Sequence, residues 1–507
     1  MNKNWKVYKK LHRWPGLIIA FVLLWFGFTG IIMNHREFFS PVETGRKFLP
    51  EQYRYKNWNN AALKGSVNAG ADSVIVYGNI GAWLTDTGFR KFISFNRGFP
   101  EGIDNRKIYD IHRAADGNLY AATLFGVYCF DRAEGRWQKL PGEADGTFMG
   151  IESYGDEILV LERSHLYRGR PSGKNTILQK IDLPAPEGYN GKITLFETVW
   201  QIHSGEIFGI PGKIYVDILG IVTIFLSVTG IIYFFAPGFI KGRIRKDKPA
   251  EKLIRVNKWS LKWHNKLGAW TFILLIILYF TGMFLRPPLL LTIANANVKP
   301  VRFTHLDQPN PWYDKLRDIL YDPESGKLLL AAYDGIYYMD SPEAQPKRFV
   351  YQPPVSVMGI TVFEKYDNAY FLVGSFTGLY IWNPLSGETY DYFTLEPFTG
   401  EVTGRPVGLF KITGMIKNQE GKRYPVDYDK GVVYTEPTEE IPEMPGEIIR
   451  ESGMSLWNLC LEIHTGRFFQ GLFSDFYILI VPLAGITGII VVISGYMVWR
   501  RKYRRTE

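Results

Sequence analysis

Cysteine is nearly absent from this chain: Cys129 and Cys460 are the two in 507 residues. Two thiols cannot build a disulfide framework, and one Cys129–Cys460 bridge is the most they allow. No His-Glu-x-x-His and no Cys-x-x-Cys spacing occurs, which argues against a zinc enzyme or a zinc ribbon. No Gly-rich phosphate loop, flavin domain or nicotinamide domain is recognisable, so no nucleotide site is expected. Acidic residues are missing from Met1–Trp14, and histidine is missing from the middle of every long apolar run.

Four apolar runs are present: Pro15–Met33, Ile214–Phe235, Leu267–Leu285 and Phe476–Trp499. Each has roughly the 20 residues that carry an α-helix across about 30 Å of hydrocarbon. Asp217 and Asp475 lie at the margins of the second and fourth runs, where a carboxylate still reaches water. Met1–Trp14 carries Lys3, Lys6, Lys9, Lys10 and Arg13. Ala236–Lys266 carries ten Lys or Arg against Asp247 and Glu251, and Arg500–Glu507 has five basic residues and one acid. The positive-inside rule makes all three cytoplasmic. The net charge of +9 is therefore a signal of topology, and nucleic acid is not an expected partner because the basic residues hug the span ends without a binding motif. No small-residue cleavage site follows the first run, so it is expected to remain as an anchor.

The expected organisation is a cytoplasmic start with the first helix (1–35), an outer segment (36–200), a leader with the second helix (201–236), and a basic cytoplasmic loop (237–263). A third helix (264–285), a second outer segment (286–458), a leader with the fourth helix (459–499) and a basic tail (500–507) follow. Both termini are expected inside and both large segments outside the cytoplasm.

A histidine motif stands at the edge of each run. Leu11-His12-Arg13-Trp14-Pro15-Gly16 opens the first and Trp263-His264-Asn265-Lys266-Leu267-Gly268 the third; Ile202-His203-Ser204-Gly205 precedes the second and Ile463-His464-Thr465-Gly466 the fourth. The alternation indicates a tandem duplication. His12 aligns with His264, and Phe28-Thr29-Gly30 with Phe280-Thr281-Gly282, at one offset. His203 aligns with His464, and Thr229-Gly230 with Ser494-Gly495 after four extra residues. Both halves point the same way, so a two-fold axis along the membrane normal would bring equivalent residues together in a four-helix bundle. Gly16 and Gly268 lie four residues after their histidines, on the same helix face. A flat ring ligated by the histidine could lie over them, or they could serve ordinary helix packing.

The outer segments are rich in short alternating strands. Asp116-Gly117-Asn118-Leu119-Tyr120-Ala121-Ala122 leads into Gly126-Val127-Tyr128, as Gly326-Lys327-Leu328-Leu329-Leu330-Ala331-Ala332 leads into Gly335-Ile336-Tyr337. Upstream, Lys107-x-x-Asp110-Ile111 matches Lys315-x-x-Asp318-Ile319. Further copies are Gly81-Ala82-Trp83, His165-Leu166-Tyr167, Gly378-Leu379-Tyr380 and Gly431-Val432-Val433-Tyr434. The spacing within each half suits a propeller blade. Three blades per half leave open edges, so the expectation is one six-bladed propeller shared by both halves; two separate β-rich domains are the alternative.

Ionisable residues near the membrane interior are functional candidates. A neutral imidazole is a good iron ligand, and two histidines on two helices are what a bis-histidine haem b requires. His12 with His264, and His203 with His464, are the candidate axial ligands of two haem groups. His35, whose counterpart is Pro287, is a further cofactor-binding candidate or a proton or substrate contact. Lys9, Lys10, Arg13, Lys262 and Lys266 could meet propionates at one face, and Arg36, Arg286 or Arg467 at the other. Topology alone also explains the lysines. Cys460, four residues before His464, is read as packing, and no side chain is singled out as catalytic.

His12-Arg13-Trp14-x-Gly16, Phe28-Thr29-Gly30, His203-Ser204-Gly205, His264 to Gly268, Phe280-Thr281-Gly282 and His464-Thr465-Gly466-Arg467 resemble the PepSY-associated transmembrane family. That family includes iron-regulated inner-membrane ferric-siderophore reductases. The resemblance covers the helices and their leaders. It implies a multi-pass protein of the bacterial inner membrane, with haem b in the bundle on His12, His264, His203 and His464. It also implies electrons delivered to a periplasmic acceptor such as a ferric siderophore, hence an oxidoreductase of the ferric-chelate type. The electron donor would be a cytoplasmic protein or a quinol. No PepSY module is recognisable outside the membrane, which leaves the acceptor open. The alternatives are a non-enzymatic membrane receptor or scaffold whose propeller binds a partner, and a regulator of peptidases.

Overall fold

In hydrocarbon every backbone N–H and C=O must be bonded within its own segment, so charge-free apolar runs become helices. The computed structural model describes residues 3–70, 72–142, 146–307, 309–356, 358–398, 407–434 and 441–503. Its helices include α1 (Lys3–Asn34), α2 (Leu195–Ser204), α3 (Gly209–Ile244), α4 (Glu251–Met283), α5 (Leu456–His464) and α6 (Ile480–Tyr503). Four stretches, Trp5–Asn34, Glu206–Ile244, Glu251–Met283 and Arg467–Arg501, are long and apolar enough to cross a membrane. The helices outrun the apolar sequence. The segment 237–263, expected as a loop, is helical except around 245–250, because its lysines and arginines are good helix formers.

The chain divides into two compact units. The first comprises 1–39, 191–309 and 456–507. Its long helices neighbour one another in the order α1, α3, α4, α6 and back to α1. Small residues set the closest approaches. A Cβ built on Gly27 of α1 would lie 3.0 Å from the carbonyl oxygen of Gly220 on α3, and one on Gly485 of α6 would lie 3.0 Å from that of Tyr279 on α4. These contacts are equivalent under the duplication.

The second unit comprises 40–190 and 310–455, so both outer segments belong to one body. Among the described residues it holds a two-stranded pairing of Glu43–Thr44 with Met454–Ser455 and six antiparallel sheets that are each a simple up-and-down meander. Their first strands are Gly65–Gly70, Ile108–Arg113, Phe148–Tyr154, Leu316–Asp322, Val362–Lys365 and Ile412–Lys417; the sheets are numbered 1 to 6 in that order. Each first strand lies beside the next, and that of sheet 6 lies beside that of sheet 1. This closed order is the one a six-bladed propeller requires. Alternate residues of one strand serve the two neighbouring sheets. Val74 and Val76 pack with Ile416 and Val426 of sheet 6, while Ile75 and Tyr77 pack with Ile108 and Ala121 of sheet 2. Strands buried on both faces read as continuous apolar runs, as in Ser73–Gly78.

Cys129 and Cys460 are both free and buried, so the bridge that the sequence allowed is not formed.

Candidate functional site: two histidine pairs

The His-Ser-Gly and His-Thr-Gly motifs end short leader helices. Thr194 caps the start of α2, accepting from the Glu197 N–H, and Gly205 ends it with φ +81°. Gly466 follows α5 with φ +78°. This left-handed conformation suits glycine, and it leaves His203 and His464 in the last turn of each leader. His12 and His264 instead sit within α1 and α4.

The side chains form two pairs. The imidazole centroids of His12 and His264 are 6.0 Å apart, and those of His203 and His464 are 6.3 Å apart. A metal–imidazole bond is about 2.0–2.1 Å and a ring centroid lies about 1.1 Å from its nitrogen, so centroids roughly 6 Å apart would let both rings of a pair reach one metal between them. The spacing in both pairs fits that arrangement.

Each ring lies against a Thr-Gly or Ser-Gly pair on another helix and is held through Nδ1 by a hydroxyl or carbonyl of that helix. Thr29 Oγ1 lies 2.9 Å from His464 Nδ1, and Thr229 Oγ1 lies 3.0 Å from His264 Nδ1. Both hydroxyls spend their proton on a backbone carbonyl one turn earlier, Trp25 and Phe225, at 2.7 Å. Each hydroxyl therefore accepts from the imidazole, and Nδ1 is the protonated nitrogen. His203 Nδ1 donates to the Leu278 carbonyl at 3.1 Å, with Thr281 Oγ1 at 3.3 Å. His12 Nδ1 donates to the Val491 carbonyl at 2.9 Å. In the neutral ring this network assigns the lone pair to Nε2 in all four cases. An Nδ1–H bonded to a carbonyl or hydroxyl is the outer-shell support that a metal-ligating histidine uses.

The glycines give the rings room. Cβ atoms built on Gly495 and Gly282 would lie 2.6 and 2.7 Å from Cε1 of His12 and His203. On Gly230 and Gly30 they would lie 3.4 Å from Cε1 of His264 and His464. Gly16 and Gly268, over which a flat ring could lie or helices pack, face Val491 and Leu226 at ordinary contact, 3.6 and 3.8 Å. The sequence carried the right signal in Phe28-Thr29-Gly30 and its three relatives, but not which histidine each would meet.

Eighteen residues of α1 separate His12 from Gly30, the seat of His464, or about 27 Å at 1.5 Å per residue. The same count separates His264 from Gly282, the seat of His203. The pairs thus stand near opposite ends of the bundle.

His35 is engaged elsewhere. Its Nε2 lies 2.7 Å from Asp217 Oδ2, while Asn34 Nδ2 donates to Asp217 Oδ1 at 2.9 Å. Among the proposed cationic partners, Arg36 stacks 3.8 Å over the Trp457 ring, Arg467 pairs with Glu462, Arg13 sits 5.1 Å from the Phe234 ring and Lys266 4.4 Å from that of Trp270. Among the described residues no three His, Cys, Asp or Glu converge on a metal position, so a metal at either pair would have two protein ligands.

Comparison with known proteins agrees on the membrane part. No curated protein matches the chain. Among solved structures, the extracellular domain of BT4673 from B. thetaiotaomicron, a proposed hybrid two component system, is 11% identical with a TM-score of 0.35. That match covers 78% of this chain and 36% of the other, so the chain spans about a third of that structure's length. The computationally designed Ika8 protein is 6% identical with a TM-score of 0.31, covering 74% and 98%. At such scores the fold rests on the strand pairings alone. The PepSY-associated TM region matches residues 2–236 and again 239–502, one match to each half. The chain belongs to the PepSY-associated TM family.

Proposed function

We propose that this membrane protein carries two haem b groups, ligated by His12 with His264 and by His203 with His464, and passes electrons across the membrane. The acceptor would be an extracytoplasmic one such as a ferric siderophore. The observation that carries the proposal is the presence of two imidazole pairs at 6.0 and 6.3 Å, each ring fixed through Nδ1. A haem held between two imidazoles supplies one-electron redox chemistry at a potential set by its ligands and burial. The residues supply the rest. Thr29, Thr229 and the carbonyls of Leu278 and Val491 fix the tautomer, and the four glycines leave space for the rings. The basic ends of the helices orient the first pair towards the cytoplasm by the positive-inside rule, where a soluble protein or a quinol would be the donor.

The absorption spectrum of the purified protein tests this. A Soret band and a dithionite-induced α-band are expected, with two haems per chain. Absence of both bands overturns the proposal. His12→Ala or His264→Ala should remove about half the haem, and full retention rejects that pair as ligands. A receptor or scaffold acting through its β unit would instead keep its function in a variant lacking all four histidines.

A further inference from the structure

Four cations gather where the first strands of the six-sheet ring begin, and the histidine pairs use none of them. Lys64 precedes sheet 1, Lys107 precedes sheet 2, and Arg317 is the second residue of the first strand of sheet 4. Arg163 joins them through its backbone: its N–H bonds the Thr147 carbonyl just before sheet 3 at 3.1 Å, and its carbonyl accepts from Leu316 of sheet 4 at 2.9 Å. Tyr109 neighbours three of them, Lys64, Lys107 and Arg317. Lys64 Nζ lies 4.2 Å and Lys107 Nζ 5.5 Å from its ring centroid. Lys64 is within electrostatic reach of Lys107 and Arg163, and Arg317 of Arg163 and Tyr109.

The backbone aims two of these side chains. Strand register shifts between Ile108 and Asp110 and between Leu316 and Asp318, leaving Tyr109 and Arg317 as extra residues in the ladder. Such bulges re-aim a side chain. They fall inside the Lys107-x-x-Asp110 and Lys315-x-x-Asp318 motif, and the same shift recurs at the start of sheets 3 and 6, so the bulge belongs to the repeated sheet.

What sets this cluster apart is the shortage of negative charge. Asp314 is taken by Arg163, at 2.8 and 3.2 Å. Asp318 lies within electrostatic reach of Lys64, and burial and Asp110 push its carboxyl above the usual carboxylate range. Lys64 and Lys107 make no ion pair or hydrogen bond through Nζ among the described residues, and Arg317 Nη1 donates only to the carbonyls of Asp314 and Leu316. Burial and the neighbouring cations push the Lys64 ammonium down to about 8. Elsewhere on the ring, cations are matched by acids: Glu364 takes Lys417 at 2.7 Å and Arg423 at 3.0 Å, and Asp322 takes Lys365 at 2.6 Å. Half-buried like charges without a counter-ion are destabilising.

We infer that Lys64, Lys107, Arg163 and Arg317, arranged around Tyr109, bind a compact polyanion: a small molecule with two or more carboxylate or phosphate groups. The inference stands on the β unit alone and does not depend on haem. Isothermal titration of the full-length protein in detergent, at constant ionic strength, with citrate and separately with pyrophosphate, tests it. At least one anion should bind saturably, one per chain, and the preferred one identifies the class. Lys64→Gln with Lys107→Gln should weaken binding roughly tenfold or more. Lys180→Gln, on the outer strand of sheet 3, should change it little. Without anion the double variant should unfold at the same temperature as the parent or higher, because a repulsion has been removed, and citrate or pyrophosphate should raise the midpoint of the parent alone. Binding of neither anion, undiminished binding in the double variant, or an equal loss in Lys180→Gln overturns the inference. So does a lower midpoint for the anion-free double variant, which would mean that the lysines serve the acids beneath them.

Discussion

A threonine hydroxyl has one proton to give. In Thr29 and Thr229 it goes to the carbonyl one turn back, so the histidine must supply the other hydrogen bond. Thr29→Val or Thr229→Val therefore leaves an Nδ1–H without its acceptor. Under the proposed function each should cost about 10- to 100-fold in haem affinity at its own pair, read from the haem-to-protein ratio and the midpoint potential. Ser494→Ala, at the equivalent place beside His12, should cost little, because His12 bonds the Val491 carbonyl rather than the serine. In the β unit, burial pushes the Glu152 carboxyl up to about 8, with Asp110 adding to it. The native chain then keeps a proton that the unfolded chain releases near pH 4.5. That contribution to stability is full below about pH 4.5 and is lost as pH rises through 8. Glu152→Gln should raise the thermal midpoint at pH 8, by on the order of 1–3 kcal/mol in stability, and lose its advantage by pH 5. An equal gain at both pH values would show that Glu152 is ionised in the native state.

Elements were legible wherever one segment contains its own explanation. The four spans follow from length and charge, and the glycine-led copies of the repeat each open the third strand of a sheet, as at Gly126–Asp131 and Gly378–Trp382. The positive φ of those glycines, +149° at Gly126 and +145° at Gly378, is why the repeat begins with glycine. The leader helices were half legible. His203-Ser204-Gly205 marks a helix end, but the partner of His203 lies 75 residues away at Leu278, and a hydrogen bond between helices leaves no periodic trace. Spacing along one helix therefore pointed to Gly16 and Gly268 and could not show which glycine each imidazole meets. The helix end itself can be tested. Gly205→Ala places a Cβ at φ +81° and 2.2 Å from the Gly212 carbonyl oxygen, and should destabilise the leader by more than the roughly 1–2 kcal/mol of the backbone strain alone. Under the proposed function it should lower haem occupancy at His203 and His464 and leave the His12–His264 spectrum intact; loss of both signals together would count against separate pairs.

At the scale of the whole molecule, each histidine of the two pairs is seated by the other half. His12 rests on Gly495 and His203 on Gly282, while His264 rests on Gly230 and His464 on Gly30. The duplication is therefore interlocked: neither half contains a histidine together with the Thr-Gly or Ser-Gly pair that holds it. This explains why both copies of the motif remain complete in one chain, since damage to either half removes a support from both pairs. It also separates ligation from packing. Gly495→Leu would drive a side chain into the His12 ring, which stands 2.6 Å from the position of a Cβ there. Under the proposed function it should remove the same half of the haem as His12→Ala, and the two changes together should remove no more. Combined with Gly282→Leu, which displaces His203, it should remove nearly all. The haem-to-protein ratio of these variants, in preparations that elute as the parent does on size exclusion, decides the matter. Additive losses from Gly495→Leu and His12→Ala would place them at different sites and break the assignment of pairs.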